Sequence, residues 1–274
     1  MFYPQNLHTH TNFCDGKQDV ETIVRRSIEL QLDSIGFSGH SHCEYIKSSS
    51  SMSPETTRQY KVEIAKQKKK YENQIEIFCG LEFDQYSDDD LQGYDYIIGT
   101  NHYLKMGNEF VGFDRDKEEV QSIINNYFDG DGLRFAREYY RQLSQLPAYG
   151  NFDLVGHFDL ITKNNENGEL FDENNPAYRK YALECLHALA EKISVFEINT
   201  GAMARGYRTT PYLNPFILKE MNKLGVGITI SSDCHDCNFL TCGFDRAIEL
   251  CKECGVRELQ VLTKGGFKGL ALEY

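Results

Sequence analysis

Short apolar or β-branched runs recur along the chain at residues 6–10, 34–38, 75–81, 94–100, 152–157, 195–199, 226–231 and 259–262, each of strand length. Between most of them the apolar positions change to helical spacing. At residues 20–30 the spacing puts Val20, Ile23, Val24, Ser27 and Ile28 on one face, with Asp19 placed to cap the helix start. Residues 54–73 read as a longer, more polar helix that begins near Pro54 and ends in a lysine-rich turn, where cations complement the helix dipole. Further helices are predicted at 133–146, 176–192, 215–224 and 244–254, two of them stopping before Gly225 and Gly255. Residues 101–132 show no clean period, and with 162–175, rich in Gly, Asn and Asp, they read as surface loop.

Strand followed by helix throughout predicts an α/β fold, a mostly parallel sheet covered by helices. The pattern leaves an open doubly wound sheet and a closed barrel both available. Residues 1–274 are expected to form a single domain, a length that barrels of alternating strands and helices commonly reach.

Charge and composition narrow the partners. With 41 acidic against 29 basic residues the net charge is −12, which disfavours long nucleic acid and anionic membrane surfaces but not one small phosphate in a local basic pocket. The lysines near residue 70 then read as a solvated helix face. The first ten residues are polar and no run approaches membrane-spanning length, so the expected location is cytoplasmic. Nine cysteines, an odd number in a long chain, fit reduced thiols better than a disulfide framework.

The candidate chemistry gathers at the ends of predicted strands. His8, His10, His40, His42, His102, His157 and His235 all lie at or just past a strand C-terminus; only His187, on a helix, does not, and it reads as structural. Asp15, Glu82, Glu197 and Asp233 occupy the same kind of position. In parallel α/β folds these ends converge, so residues distant in sequence meet there. Histidine with carboxylate is ligand chemistry for zinc, manganese or iron. His8 and His10, two apart on an extended segment, face one side together, as do Asp233 and His235 if their strand continues. Glu197 reads equally as a ligand or as a partner that orients a ligand histidine.

The motifs His8-Thr9-His10-Thr11 with Cys14-Asp15-Gly16, Gly36-Phe37-Ser38-Gly39-His40, Gly80-Leu81-Glu82, Asn101-His102, Gly156-His157 and Ser232-Asp233-Cys234-His235 resemble the PHP (polymerase and histidinol phosphatase) superfamily, in its histidinol-phosphate phosphatase branch. The resemblance runs from residue 8 to residue 235 and implies a distorted (β/α)7 barrel with a metal cluster at the strand C-termini. It implies three divalent metal ions (Zn, Mn or Fe). His8, His10, Glu82 and Asp233 would hold one, Glu82 would bridge to a second held by His102 and His157, and Asp15, His40 and His235 would hold the third. Two departures stand out: Gly39 replaces the acid that usually precedes the second motif's histidine, and Lys163 lies where the branch tends to carry arginine. Arg205 and Arg208 resemble the branch's other arginine-bearing loop and are, with Lys163, the candidate phosphate clamps.

The activity implied is hydrolysis of L-histidinol phosphate, a small phosphorylated metabolite of histidine biosynthesis. Closely spaced metals would lower the pKa of a bridging water, so that hydroxide attacks phosphorus in line, with His42 the candidate general acid. The alternatives are another PHP phosphoesterase acting on a nucleotide or other small ester, an inactive PHP scaffold, and a zinc-binding interaction module built on Cys234-x-x-Cys237 and Cys251-x-x-Cys254.

Overall fold

A computed structural model describes residues 3–44 and 50–273. The chain runs β1 (Gln5–Asn6), α1 (Val20–Glu29), β2 (Ser34–His40), α2 (Pro54–Lys70), β3 (Glu76–Asp84) and β4 (Tyr96–Thr100). It continues through β5 (Tyr103–Met106), β6 (Glu109–Gly112), α3 (Lys117–Phe128), α4 (Gly132–Leu143), β7 (Leu154–Val155), α5 (Pro176–Ala190) and β8 (Val195–Asn199). The last elements are α6 (Gly201–Ala204), α7 (Pro215–Leu224), β9 (Gly227–Ser231), α8 (Phe244–Glu253), β10 (Glu258–Thr263) and β11 (Gly266–Ala271).

The helices form where caps and apolar faces coincide. The Asp19 side chain accepts from the Thr22 amide, and Val20, Ile23, Val24 and Ser27 of α1 are buried. Ser53 and Thr56 form a reciprocal cap at the start of α2, whose last turn carries Lys68, Lys69 and Lys70.

Seven parallel strands pair in the order β1-β2-β3-β4-β7-β8-β9. The two outer strands meet at a parallel bridge between Thr9 and Cys234, where His10 N donates to Cys234 O at 2.8 Å and Cys234 N to His8 O at 3.0 Å. The result is a nearly closed barrel with helices outside, which removes the sheet's free edges. Of the two architectures open to the pattern, the barrel is the one formed.

Inside, the barrel is filled at its N-terminal end by Leu7, Phe78, Tyr96, Ile98, Leu154 and Val195. The Tyr96 ring is accommodated by glycine. A Cβ on Gly36 or Gly80 would come within 2.3 Å of Tyr96, so neither position admits a side chain beside that ring. The Tyr96 hydroxyl donates to the Leu7 carbonyl.

Three expectations are corrected. The stretch 101–132 is not plain loop: it holds the β5–β6 hairpin, turned at Gly107 with φ 65°, and α3, capped by Asp116 and buried through Val120, Ile123, Ile124 and Phe128. Its helical period was present but confined to a dozen residues behind a hairpin of mixed polarity. Strand and helix do not alternate throughout, because no helix intervenes between β3 and β4. The run at 259–262 does not join the barrel; as β10 it pairs antiparallel with β11. That hairpin covers the barrel's N-terminal end, where Leu262 and Phe267 meet the interior cluster and Gln5 exchanges hydrogen bonds with Leu262 (Nε2 to O, 2.9 Å; N to Oε1, 2.8 Å).

Candidate metal centre

The ligand candidates converge at the opposite end of the barrel. β2 and β3 pair in register so that His40 lies beside Glu82, and His40 Nδ1 is 2.8 Å from Glu82 Oε2. β1 leaves its ladder after Asn6, whose side chain accepts from the His8 amide at 3.1 Å. The segment beyond it carries His8 and His10, each with Nε2 3.4 Å from Glu82 Oε2. The other Glu82 oxygen faces His157 Nε2 at 2.9 Å and His102 Nε2 at 3.4 Å. Glu82 thus sits, 1% exposed, at the centre of five imidazoles.

Two further carboxylates complete the cluster. Asp233 Oδ1 lies 3.2 Å from His10 Nε2 and 3.5 Å from His235 Nδ1. Asp15 faces His235 Nε2 at 3.3 Å and His40 Nε2 at 3.5 Å. The condition that the strand continue through this pair is not met: β9 ends at Ser231, and Asp233 takes the left-handed region with φ 45°. His157 does the same with φ 22°. A non-glycine residue in that region is strained, and both strained residues turn their side chains into the cluster.

The donor set fits divalent cations. Ligand atoms of His10, Asp15, His40 and His235 lie within 4.8 Å of one another, as do those of His8, His10 and Asp233 and those of His8, Glu82 and His157. His8 Nε2, His10 Nε2 and Glu82 Oε2 are buried without a hydrogen-bond partner among the described residues, an arrangement that costs free energy unless something binds there.

Neighbouring side chains fix how the ligands point. His8 Nδ1 donates to Glu197 Oε1 at 2.7 Å, and His102 Nδ1 donates to Asp84 Oδ2 at 3.2 Å, so each ring turns Nε2 toward the centre. Glu197 also accepts from the Ser231 hydroxyl, from the His157 amide at 2.8 Å and from Asn199 Nδ2 at 2.9 Å. Both Glu197 oxygens are engaged by these donors, an arrangement that suits a partner orienting the His8 ring. Sequence reasoning missed Asp84, although it follows Glu82 by two residues and so shares its face of β3.

The electrostatics follow from burial and from opposite charges at close range. Burial alone would raise Glu82, but His40, His8 and His102 hold it well below the usual carboxylate range. Burial likewise opposes the charged forms of His8, His40 and His102, yet Glu197 and Glu82 beside the first, and Glu82 beside the other two, raise all three. His10 is pushed down to about 3 by burial and by the nearby His235 and His40. A metal here competes with protons on several imidazoles.

The cluster forms the floor of an open cleft of about 1040 Å³. Arg205 lines it, with Nη2 3.0 Å from Asp233 Oδ2 and Nη1 3.1 Å from His235 Nδ1. Lys163 also lines it, but its Nζ is held by Asp114, at 2.8 Å from Oδ1 and 2.5 Å from the carbonyl. Arg208 is absent from the lining and donates to the Thr162 carbonyl at 2.6 Å. His42 is also absent; its amide donates to Asp89 Oδ2 at 2.6 Å, while the adjacent Ser41 does line the cleft. His187 sits apart on α5, 3.2 Å from Glu220. The nine cysteines are free thiols, and none belongs to a metal-holding group among the described residues. Cys234 and Cys254 bond to the separate carbonyls of Asp236 and Pro215, which gives a zinc ribbon no support.

Comparison with known proteins places this geometry in context. The PHP domain family model matches residues 6–201. A Schizosaccharomyces pombe protein named "probable histidinol-phosphatase" is 23% identical over 283 residues, covering 96% of this chain and 90% of the relative. The crystal structure of a candidate histidinol phosphatase from Listeria monocytogenes superposes with a TM-score of 0.75 at 21% identity, over 88% of this chain and 98% of that one. The Lactococcus lactis histidinol phosphate phosphatase, solved with zinc, L-histidinol and phosphate, superposes with a TM-score of 0.71 at 21% identity, over 97% and 98%. Both likenesses concern the fold.

Proposed function

The chain belongs to the PHP domain family, and from that membership and its metal centre we propose that it is a metal-dependent phosphomonoesterase that hydrolyses L-histidinol phosphate to L-histidinol and phosphate. The observation that carries the reading is the set of buried, unpartnered donors at the floor of an open cleft that also presents Arg205. The names of the Schizosaccharomyces and Lactococcus relatives favour this ester among phosphomonoesters.

Three divalent ions are proposed: one on His8, His10, Glu82 and Asp233, a second on Glu82, His102 and His157, and a third on Asp15, His40 and His235. When bound, such ions supply Lewis acidity toward phosphoryl oxygens and lower the pKa of water. Arg205 gives the phosphate a planar donor beside the cluster, and its contact with Asp233 fixes its direction. Lys163 contributes positive charge at the cleft wall, positioned by Asp114. Glu197 and Asp84 hold His8 and His102 in one tautomer and so preserve the donors' directions. His42, next to cleft-lining Ser41, is the proposed donor of the proton that the leaving oxygen needs. H42Q would then slow esters of aliphatic alcohols and spare p-nitrophenyl phosphate, whose leaving group needs no proton.

Phosphate release from L-histidinol phosphate, mononucleotides and sugar phosphates tests the reading, with purified protein before and after chelation and after zinc, manganese or iron is restored. Metal-dependent preference for L-histidinol phosphate supports it. Preference for another ester keeps the phosphomonoesterase and changes its substrate; absence of turnover with every metal overturns it in favour of a scaffold.

A further inference from the structure

Arg205 shares its loop with a buried tyrosine whose hydroxyl stands apart from the others in the barrel. β8 ends at Asn199, and the chain beyond it carries Arg205 and then returns to the strand end, where the Tyr212 amide donates to the Asn199 carbonyl at 2.9 Å. Tyr212 is 1% exposed, and its hydroxyl oxygen is buried with no hydrogen-bond partner among the described residues. The other fully buried tyrosines satisfy theirs: Tyr3, Tyr60, Tyr96 and Tyr139 each donate to a backbone carbonyl, and Tyr140 and Tyr178 bond to each other at 2.9 Å. A buried hydroxyl without a partner costs free energy that a phenylalanine in the same place would not.

The charged groups around this hydroxyl belong to the cleft. Burial raises the Tyr212 phenol and Asp114 raises it further, while Arg205 and Arg208 act in the opposite direction. The Arg208 guanidinium carbon stands 5.8 Å from the ring centroid. Burial opposes the charge of Arg205, and Asp233, Tyr212 and Asp114 favour it. The Arg205 terminal nitrogens are turned to Asp233 and His235, but a guanidinium carries five N–H donors, so one is available to a neighbouring oxygen while others hold a ligand. Asp114 meets Lys163 through Oδ1, which leaves its second oxygen to accept a phenol O–H.

We propose that Tyr212 is a positioning residue for the phosphate clamp: its hydroxyl oxygen accepts an N–H of Arg205 while the rest of the guanidinium holds the phosphoryl oxygens, and its O–H donates to Asp114. The inference rests on the phosphomonoesterase reading and adds the group that ties the two cations of the cleft, Arg205 and the Asp114-held Lys163, into one unit. Because it acts on the phosphate end, Tyr212 serves every phosphomonoester alike.

The test uses the metal-loaded wild type, Y212F, R205A and the double variant. It measures calorimetric binding of inorganic phosphate, kcat/KM for L-histidinol phosphate and p-nitrophenyl phosphate, and thermal melting. Y212F should weaken phosphate binding roughly 10-fold and lower kcat/KM on both esters by a similar factor, chiefly through KM, as expected for losing a hydrogen bond to a charged group. It should melt no lower than the wild type, since the hydroxyl it removes has no partner to lose. In the R205A background Y212F should cause no further loss in kcat/KM, because Tyr212 acts through Arg205. Phosphate affinity unchanged in Y212F overturns the proposal, as does a lowered melting temperature or an equal loss in the R205A background, the signatures of a merely structural role. If the wild type neither binds phosphate nor hydrolyses either ester, the phosphomonoesterase reading fails first, whereas phosphate bound equally by wild type and Y212F overturns the role of Tyr212 alone.

Discussion

The two ends of the barrel are built from the same strands and are finished in opposite ways. At the N-terminal end, Phe78, Tyr96, Ile98, Leu154 and Val195 meet Leu262 and Phe267 of the closing hairpin, so the interior is apolar and covered. At the C-terminal end, strands β3 and β8 continue to Glu82 and Glu197, and the barrel stays open above a cluster of imidazoles and carboxylates. One end gains stability from burial and close packing. The other leaves buried donors without a hydrogen-bond partner among the described residues and holds His157 and Asp233 in left-handed backbone. A fold can carry such a concentration of desolvated charge where the opposite end and the outer helical shell supply the stability.

That division predicts opposite mutational signatures. The largest effect is expected from Glu82→Gln, which should lower metal-dependent phosphatase activity by roughly 10³-fold or more while far-ultraviolet circular dichroism stays unchanged. Collapse of the dichroism together with the activity would show that the centre is structural instead. At the other end, Leu154→Ala should destabilise by about 2–5 kcal/mol in urea denaturation, with kcat preserved below the new melting range. A kcat loss as large as that of Glu82→Gln would mean that the two ends are coupled.

Asp84→Asn sharpens the contrast within the metal end, because it leaves every proposed ligand in place and takes the negative charge from the group that the His102 ring meets. Metal affinity should weaken by about 10-fold to 100-fold in competition titrations with a chromogenic chelator. The smallest effect concerns pH. His8, His40 and His102 are raised in the metal-free protein, so they contribute stability below about pH 6.5 that is lost as pH rises through their folded values. Metal binding must displace those protons, so affinity should rise with pH, and calorimetry in buffers of different ionisation enthalpy should detect proton release. Affinity independent of pH would place the metal away from these histidines.

The site was more legible in the sequence than the walls around it. Glu82 and His40 could be placed because strand ends are marked by short β-branched runs, and parallel strands bring such ends together. Asp84 was missed although the same strand carries it, because an acid beyond a strand end looks like any loop acid until its partner, His102, is located. The β5–β6 hairpin and α3 escaped because their burial comes from contact with neighbouring elements, which leaves only a weak local period. The run at residues 259–262 had the composition of a barrel strand, and nothing local distinguishes a strand that joins a barrel from one that covers its end.

By itself the sequence determined the α/β plan, the Asp19 cap of α1 and which histidines stand at strand ends, since these depend on spacing over a few residues. Only the tertiary structure decided that the sheet closes through Thr9 and Cys234, that Gly36 and Gly80 make room for Tyr96, and that Glu197 meets the His8 ring. These outcomes depend on which surfaces meet after long loops have closed, and the geometry of such meetings is a property of the packed whole that no short window of sequence contains.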